Sequence, residues 1–449
     1  MLRNIKLSLW GTLLGLTGLW ALANTGLPTT LNFANVRNLL VQYSGVIGIG
    51  VMSVAMVLAL RPVWLEPWLG GLDKTYRLHK WLGISGLVAA VMHWIAANGP
   101  HWLVELSWME RGARGERGEG PDAGSLGTVQ QWFGELRSPA EAMGEWAFYA
   151  VVLLIALALI KRFPYRLFAK THTLIAVAYL ALAFHAVVLM SFGAWTQPLG
   201  IVMGVLLVAG TFSAVVVLSR QVGKRRRVAG TIEANHHFPD MKVLETTILL
   251  EDGWKGHQSG QFAFVTFDAK EGPHPFTIAS AWDASNPRIM FITKALGDYT
   301  DVLPERTQVG RKVTVEGPYG AFTFDDSAKR QIWIGGGIGI TPFIARMKQL
   351  ARVPGAQAID LFHSTTELAP DALAKLTADA AAANVNLHVL IDRRDGFLTG
   401  EKLRRAVPDW TSASIWFCGP AGFGNALHRD LSSHGLARHA FHQELFSMR

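Results

Sequence analysis

The stretch DKTYRLHKWLGISGLVAAVMHWIAA (Asp73–Ala97) decides how the chain is read. From Leu78 onward it is apolar and long enough to cross most of a bilayer, which takes about 20 residues. It carries His79 and His93, fourteen residues apart. At about 1.5 Å and 100° per residue, the two rings stand roughly 21 Å apart along the axis and project from nearly one face. An ionisable side chain inside a span is costly, so each is a functional candidate. A single such histidine reads more readily as a hydrogen-bonded interior residue, and the second copy changes that.

A second pair occurs in THTLIAVAYLALAFHAVVLM (Thr171–Met190), where His172 and His185 lie thirteen residues apart. Two parallel helices would pair His79 with His172 and His93 with His185. Each pair could clamp one iron from both sides, as in a low-spin b-type haem with no open coordination position. Thirteen residues fall short of four helical turns, so the second helix has to tilt or carry a local distortion. From the histidines alone, two haems and two pairs of interior imidazoles both stay open.

Around these spans the chain divides. Apolar runs at Met1–Ala23, Leu39–Leu60, Leu78–Ala97, Trp146–Ile160, His172–Met190 and Leu199–Leu218 predict six spans. The first reads as a helix. A signal peptide ending at Ala21-Leu22-Ala23 is the alternative. Basic residues gather in alternate connectors: Arg61, Lys74, Arg77 and Lys80; Lys161, Arg162, Arg166 and Lys170; Arg220 and Lys224–Arg227. The opposite side has Arg37 and a long loop, Asn98–Glu145, in which acids outnumber Arg111, Arg114, Arg117 and Arg137. Within it ERGARGERGEGPDAGS (Glu110–Ser125) reads as mobile. The basic connectors place both termini in the cytoplasm. They also account for most of the formal charge of +8, so no nucleic-acid partner is required. The single cysteine, Cys418, excludes intrachain disulfides, Cys-ligated iron–sulfur clusters and CxxCH haem attachment.

From Val228 the composition is that of a soluble α/β protein. The runs VAGTIEA, KVLETTILL, QFAFVTF, HPFTIAS, RIMFIT and RKVTVEG predict a small antiparallel barrel. From Lys329 strands and helices alternate, predicting a parallel sheet with helices on both faces. The expected organisation is a transmembrane domain over 1–219, a basic linker over 220–227, a barrel over 228–328 and a nucleotide domain over 329–449. IWIGGGIGITPF (Ile332–Phe343) is a strand, a glycine-rich turn and a helix start, which suits a diphosphate. Taken singly, HPFTIAS is an ordinary strand and Cys418 an ordinary buried thiol.

In order, GQFAFVTF, HPFTIAS, VEGPYG, GGGIGITPF and WFCGP resemble the ferredoxin–NADP reductase superfamily. Behind six spans with two histidine pairs, the chain looks like the ferric reductase and NADPH oxidase family, and the resemblance covers nearly its whole length. It implies a six-helix di-haem bundle followed by an FAD barrel and a Rossmann-like NAD(P)H domain. It implies His79, His93, His172 and His185 as haem ligands. HPFTIAS would hold FAD, with Thr277 at the flavin ring, His274 toward the diphosphate, and Pro275, Phe276 and Ser280 in the same segment. Lys294 and Gly297–Thr300, including Tyr299, would support the FAD phosphates. Gly335, Gly336, Gly337, Gly339, Thr341 and Pro342 would take the nicotinamide cofactor's diphosphate, and Cys418, Gly419 and Pro420 would lie at its nicotinamide. Phe446, in the near-terminal FHQELF, would cover the flavin.

The implied activity is transfer of electrons from NAD(P)H through FAD and two b-type haems to the outer face of a bacterial inner membrane. Flavin belongs between hydride and single-electron carriers because it handles both. A ferric chelate is the expected acceptor. Dioxygen is the alternative, and a relay to a dedicated periplasmic protein is another. The oxidases' outer oxygen pocket has a histidine one turn beyond the outer ligand, where this chain has Ala97, with His101 a turn further; Arg37 could supply positive charge there. NADPH is expected over NADH, because no acid directly follows the strand AIDLFHS. Ser364 and Thr365 offer hydroxyls, and Arg393 and Arg394 offer cations, to a 2′-phosphate.

Overall fold

A computed structural model describes residues 2–24, 32–105, 128–160 and 163–444. The chain forms two compact units, one of residues 2–62 and 75–222, the other of 63–74 and 223–448.

The first unit is helical: α1 (Leu2–Ala23), α2 (Phe33–Ala59), most of α4 (Leu72–Glu105), α5 (Thr128–Leu159), α6 (Tyr165–Thr173), α7 (Ile175–Leu189) and α8 (Pro198–Leu218). A one-turn α3 (Glu66–Leu69) precedes α4 and belongs to the other unit. Six helical segments are long and apolar enough to cross a membrane, α6 and α7 together forming the fifth. Two outrun the apolar sequence. The expected loop Asn98–Glu145 is helical up to Glu105 and again from Thr128; the whole glycine-rich segment Glu110–Ser125, with Arg111, Arg114 and Arg117, lies outside the described residues. Hydropathy marks only the stretch suited to hydrocarbon, and a helix can continue past it into water.

Polar side chains stitch the bundle at points its own backbone leaves open. Pro100 inside α4 has no N–H for the carbonyl of Ala96. Arg37 of α2 donates Nε to that carbonyl at 3.1 Å and Nη2 to Ala97 at 2.9 Å. At the junction of α2, α7 and α8, the fully buried Tyr179 meets Ser53 Oγ at 2.8 Å. Only a glycine fits opposite, since a Cβ on Gly210 would lie 2.0 Å from the Tyr179 hydroxyl.

The second unit holds two sheets. The antiparallel sheet has β1 (Arg227–Phe238), β2 (Val243–Leu250), β3 (Phe262–Thr266), β4 (His274–Thr277), β5 (Arg288–Lys294) and β6 (Lys312–Tyr319), in the order β4-β3-β6-β1-β2-β5. A bridge between Ile278 and Phe291 brings the two edges together as a barrel. Its interior is the inward face of alternating strands: Ile232, Ile248, Val265, Ile289, Phe291 and Val315 are buried. Short helices α9 (Asp298–Asp301) and α10 (Leu303–Arg306) connect β5 to β6.

The parallel sheet comprises β7 (Arg330–Gly336), β8 (Ala358–Thr365), β9 (Asn386–Ile391), β10 (Ser414–Cys418) and β11 (Phe441–Gln443), in the order β11-β10-β7-β8-β9. Helices α11 (Thr341–Arg352), α12 (Pro370–Ala382), α13 (Asp392–Asp395), α14 (Gly400–Ala406) and α15 (Ala421–Ser433) link the strands. Separate apolar clusters lie on its two faces, one around Trp333, Phe343 and Leu361, the other around Ile334, Phe417 and Leu427. Strand order reverses between β7 and β10, a switch point of the kind where such sheets bind ligands. The architecture is therefore a bundle of six apolar helical segments, an antiparallel barrel and a parallel α/β sheet.

Gly210→Ala should destabilise the helical unit by about 1–3 kcal/mol through overpacking against Tyr179. Thermal unfolding in detergent would show this as a lowered midpoint, and Tyr179→Phe should restore part of the loss.

Candidate functional site

In the helical unit the four histidines meet in the expected pairs. The rings of His79 and His172 have centroids 5.8 Å apart, and those of His93 and His185 are 6.1 Å apart. Two imidazoles on one iron, with metal–nitrogen bonds of about 2 Å each, require a centroid separation of about 6 Å. Both pairs therefore fit a bis-imidazole iron.

Ring orientation is set by backbone acceptors. Nδ1 of His79 lies 2.9 Å from the Ala55 carbonyl, that of His93 lies 2.9 Å from Val41, and that of His185 lies 2.8 Å from Ala140. A proton on Nδ1 leaves the Nε2 lone pair free for a metal. His172 differs: its Nδ1 is buried without a partner among the described residues, and its ring stacks on Phe168 at 5.1 Å. The helix carrying His172 and His185 breaks at Leu174, between α6 and α7, where the bonding tightens to Leu174 N–H with Thr171 O. That break supplies a distortion between two histidines whose spacing does not match whole turns. Gly144 faces His185, and a Cβ there would lie 2.0 Å from its Nδ1.

In the other unit β7 and β10 bring the proposed nucleotide residues together. Gly335 pairs with Cys418, and Gly336 pairs with Ser364 of β8. The turn Gly337–Ile340 then leads into α11, where Thr341 Oγ1 donates to Ile338 O at 2.7 Å and Pro342 occupies the first turn. A Cβ on Gly339 would lie 2.1 Å from the Cys418 carbonyl, and one on Gly336 would lie 3.0 Å from Pro420, so this turn packs on the Cys418-Gly419-Pro420 corner. Gly337 has φ +56° and open space where a Cβ would be. Open space at Gly337, just ahead of a twelve-residue helix, suits a diphosphate.

On the barrel, the His274 ring stacks on Tyr299 with centroids 3.8 Å apart and planes 10° from parallel. Burial pushes His274 down to about 4, so it is neutral. Burial likewise pushes Tyr299 up to about 12, and its hydroxyl has no partner among the described residues. Pro275 and Thr277 pair with Phe264 and Phe262 of β3, while Phe276 packs on Phe267 and Phe291. Ser280 Oγ accepts from Met290 N–H, and Thr300 Oγ1 accepts from Leu296 N–H, so both help shape local turns. Lys294 ends β5, next to the turn containing Gly297. Phe446 lies outside the described residues.

Sequence reasoning missed two acids here. Glu444, in the same FHQELF, is buried and accepts from Cys418 Sγ at 3.8 Å. Burial pushes its carboxyl up to about 8, with Asp73 raising it further and Lys74 opposing, and burial and Glu444 together push the Cys418 thiol up. Asp73 and Lys74 form a buried pair at 2.7 Å. The second acid is Asp392, adjacent to Arg393, whose Oδ1 lies 3.3 Å from Ser364 Oγ. An acid flanked by the motif residues was the available signal in both cases.

A family model described as "Ferric reductase like transmembrane component" matches residues 44–183, and one for an FAD-binding domain matches residues 240–323. The chain matches a fusion of the ferric reductase/NADPH oxidase type. That combination is a membrane component joined to an FAD-binding module, in a chain with six helical segments long and apolar enough to cross a membrane. A flavohemoprotein of Oceanobacillus iheyensis is 24% identical over 34% of this chain and 40% of its own length. The glycine betaine monooxygenase reductase subunit of Chromohalobacter salexigens is 27% identical over 42% of this chain and 55% of its own. The chain thus spans about half the length of these curated relatives. The FAD/NAD-binding domain of a nitric oxide dioxygenase from Vibrio cholerae superposes with a TM-score of 0.43 at 17% identity, covering 49% of this chain and 98% of that domain.

Glu444 should make stability depend on pH. Its carboxyl holds its proton in the folded state to about pH 8, whereas the unfolded chain releases it near 4.5. Folding is therefore disfavoured progressively as pH rises from about 4.5 to about 8, and the loss levels off above that. Glu444→Gln should remove this component, so its unfolding midpoint should gain on wild type between pH 5 and pH 8. A constant difference across that range would contradict the assignment.

Proposed function

We propose that the chain oxidises a cytoplasmic nicotinamide nucleotide and sends single electrons across the membrane, through FAD and two b-type haems, to a ferric chelate on the outer side. The observation that carries this reading is the pair of histidine clamps, at 5.8 and 6.1 Å, in a chain that also matches an FAD-binding domain. FAD, when bound, accepts hydride and gives up electrons singly, which haem requires. The chain's residues do the positioning. The turn from Gly335 to Thr341 and Pro342 takes the diphosphate, Cys418, Gly419 and Pro420 shape the nicotinamide corner, and His274 to Thr277 with Lys294, Gly297, Tyr299 and Thr300 hold FAD. His79 and His172 hold the inner haem, and His93 and His185 the outer one. Two haems are needed because one cannot bridge roughly 30 Å of hydrocarbon.

The basic connectors favour cytoplasmic termini in an inner membrane. A ferric chelate is favoured over dioxygen by two features of the outer end. Ala97 stands where the oxidases have a histidine, and the Arg37 guanidinium is engaged by the Ala96 and Ala97 carbonyls.

Purified protein in detergent should oxidise NAD(P)H with ferric citrate in the absence of oxygen. Turnover only in air would identify dioxygen as acceptor, and turnover with neither would point to a protein acceptor. Pyridine haemochrome analysis should give two b-type haems per chain. His93→Leu should retain one haem and full flavin reduction. Gly144→Ala should behave similarly, because its Cβ would displace the His185 ring. Two haems retained in Gly144→Ala, with unchanged spectra, would argue against His185 as a ligand.

A further inference from the structure

NADH and NADPH differ at the 2′ position of the adenosine ribose, a hydroxyl in one and a phosphate in the other. In a sheet of this type that ribose lies beyond the C-terminal ends of the strands next to the diphosphate turn. Here those ends are Ser364-Thr365 of β8 and Ile391 of β9, in register with Thr365 opposite Ile391. Asp392 follows at once as the first residue of α13.

Most groups that the sequence offers to a phosphate are committed elsewhere. Thr365 Oγ1 donates to the Glu367 carbonyl at 2.9 Å. Arg394 forks onto Asp395, with Nε 3.0 Å from Oδ1 and Nη2 2.9 Å from Oδ2. Asp395 is itself held by the Ile391 N–H at 2.9 Å. Ser364, largely buried, donates its hydroxyl to Asp392 Oδ1 at 3.3 Å. Of the two arginines, this leaves Arg393, which is exposed. The side chain fixed against Ser364 is thus a carboxylate.

We infer that Asp392, positioned by Ser364, is a specificity-determining residue that selects NADH over NADPH. An ionised carboxylate is acceptor-only, so it can take the hydrogens of a ribose diol. Toward a 2′-phosphate the same oxygens are repulsive and offer no donor, which is discrimination by an unfavourable contact. The expectation of NADPH rested on the absence of an acid after β8. Pairing of β8 with β9 supplies the acid from the neighbouring strand end. The inference depends on the reading that the chain oxidises a nicotinamide nucleotide.

The test uses the full chain in detergent, loaded with FAD, and follows flavin reduction by absorbance under anaerobic conditions. Wild type should half-saturate with NADH at a concentration about tenfold or more below that for NADPH. Asp392→Asn and Asp392→Ser should each lower the NADPH value and raise the NADH value, with little change in the limiting rate. A purely structural role for Asp392 would shift both nucleotides in the same direction, and that result would overturn the inference. Wild type saturating with NADPH at or below the NADH concentration would overturn it without the variants, should these lose flavin. Reduction by neither nucleotide in flavin-loaded wild type would remove the electron-donor reading itself and this inference with it.

Discussion

An imidazole that is to bind a metal through Nε2 inside a bilayer must satisfy the N–H on its other nitrogen, and no water is there to do it. Among the described residues, three of the four histidines of the helical unit, all but His172, have such a partner. α2 supplies carbonyls to both histidines of α4, at Ala55 and Val41, and α5 supplies Ala140 to His185. Helical carbonyls are already engaged along their own helix, but each has a second lone pair. The acceptors are therefore available without breaking a turn. Close approach is the further condition, and it explains the small residues facing the rings: a Cβ on Gly144 would overlap His185, and one on Gly45 would sit at 3.4 Å from His93.

The same logic of close backbone approach governs the reductase unit. Parallel pairing of β7 with β10 sets Gly335 beside Cys418, and the glycine turn can then fold onto the Cys418–Pro420 corner because Gly336 and Gly339 have no side chains. The strand order also reverses at that point, which is where sheets of this kind bind ligands. In the barrel, stacking of His274 on Tyr299 makes a neutral aromatic pair out of two residues that a fully extended chain would hold about 85 Å apart. Both arrangements bring together residues that are remote in sequence.

What could be read from the sequence was whatever depends on period and order. Six apolar runs, two histidine pairs, alternating short strands and the glycine-rich turn each carry their own local signal. What could not be read depends on which strand ends become neighbours. Ser364 and Asp392 are separated by the whole of α12 and β9, and only the β8–β9 register places them together. Helix ends were also misplaced, because the apolar runs stop at Ala97 and begin at Trp146 while α4 and α5 run on through polar residues and through Pro100 and Pro139. Pro100 is tolerated where Arg37 satisfies the carbonyl it frees.

The connector Val63–Lys74 shows how a local signal can mislead. Lys74 counts as a solvated cation in a reading of topology from basic residues, yet it is buried in an ion pair with Asp73. Arg61, Arg77 and Lys80 are the other basic residues of that connector. The connector also lies in the same compact unit as the reductase sheets, where the Glu66 carboxylate accepts the Gly320 N–H at 2.8 Å. Burial of acids there has an electrostatic consequence. Asp73 would repel a second carboxylate, and Lys74 offsets it, while Glu444 keeps its proton up to about pH 8. At neutral pH the cluster of Asp73, Lys74, Cys418 and Glu444 is therefore nearly neutral overall. A neutral cluster is what a buried corner can hold without the large cost of an unpaired charge.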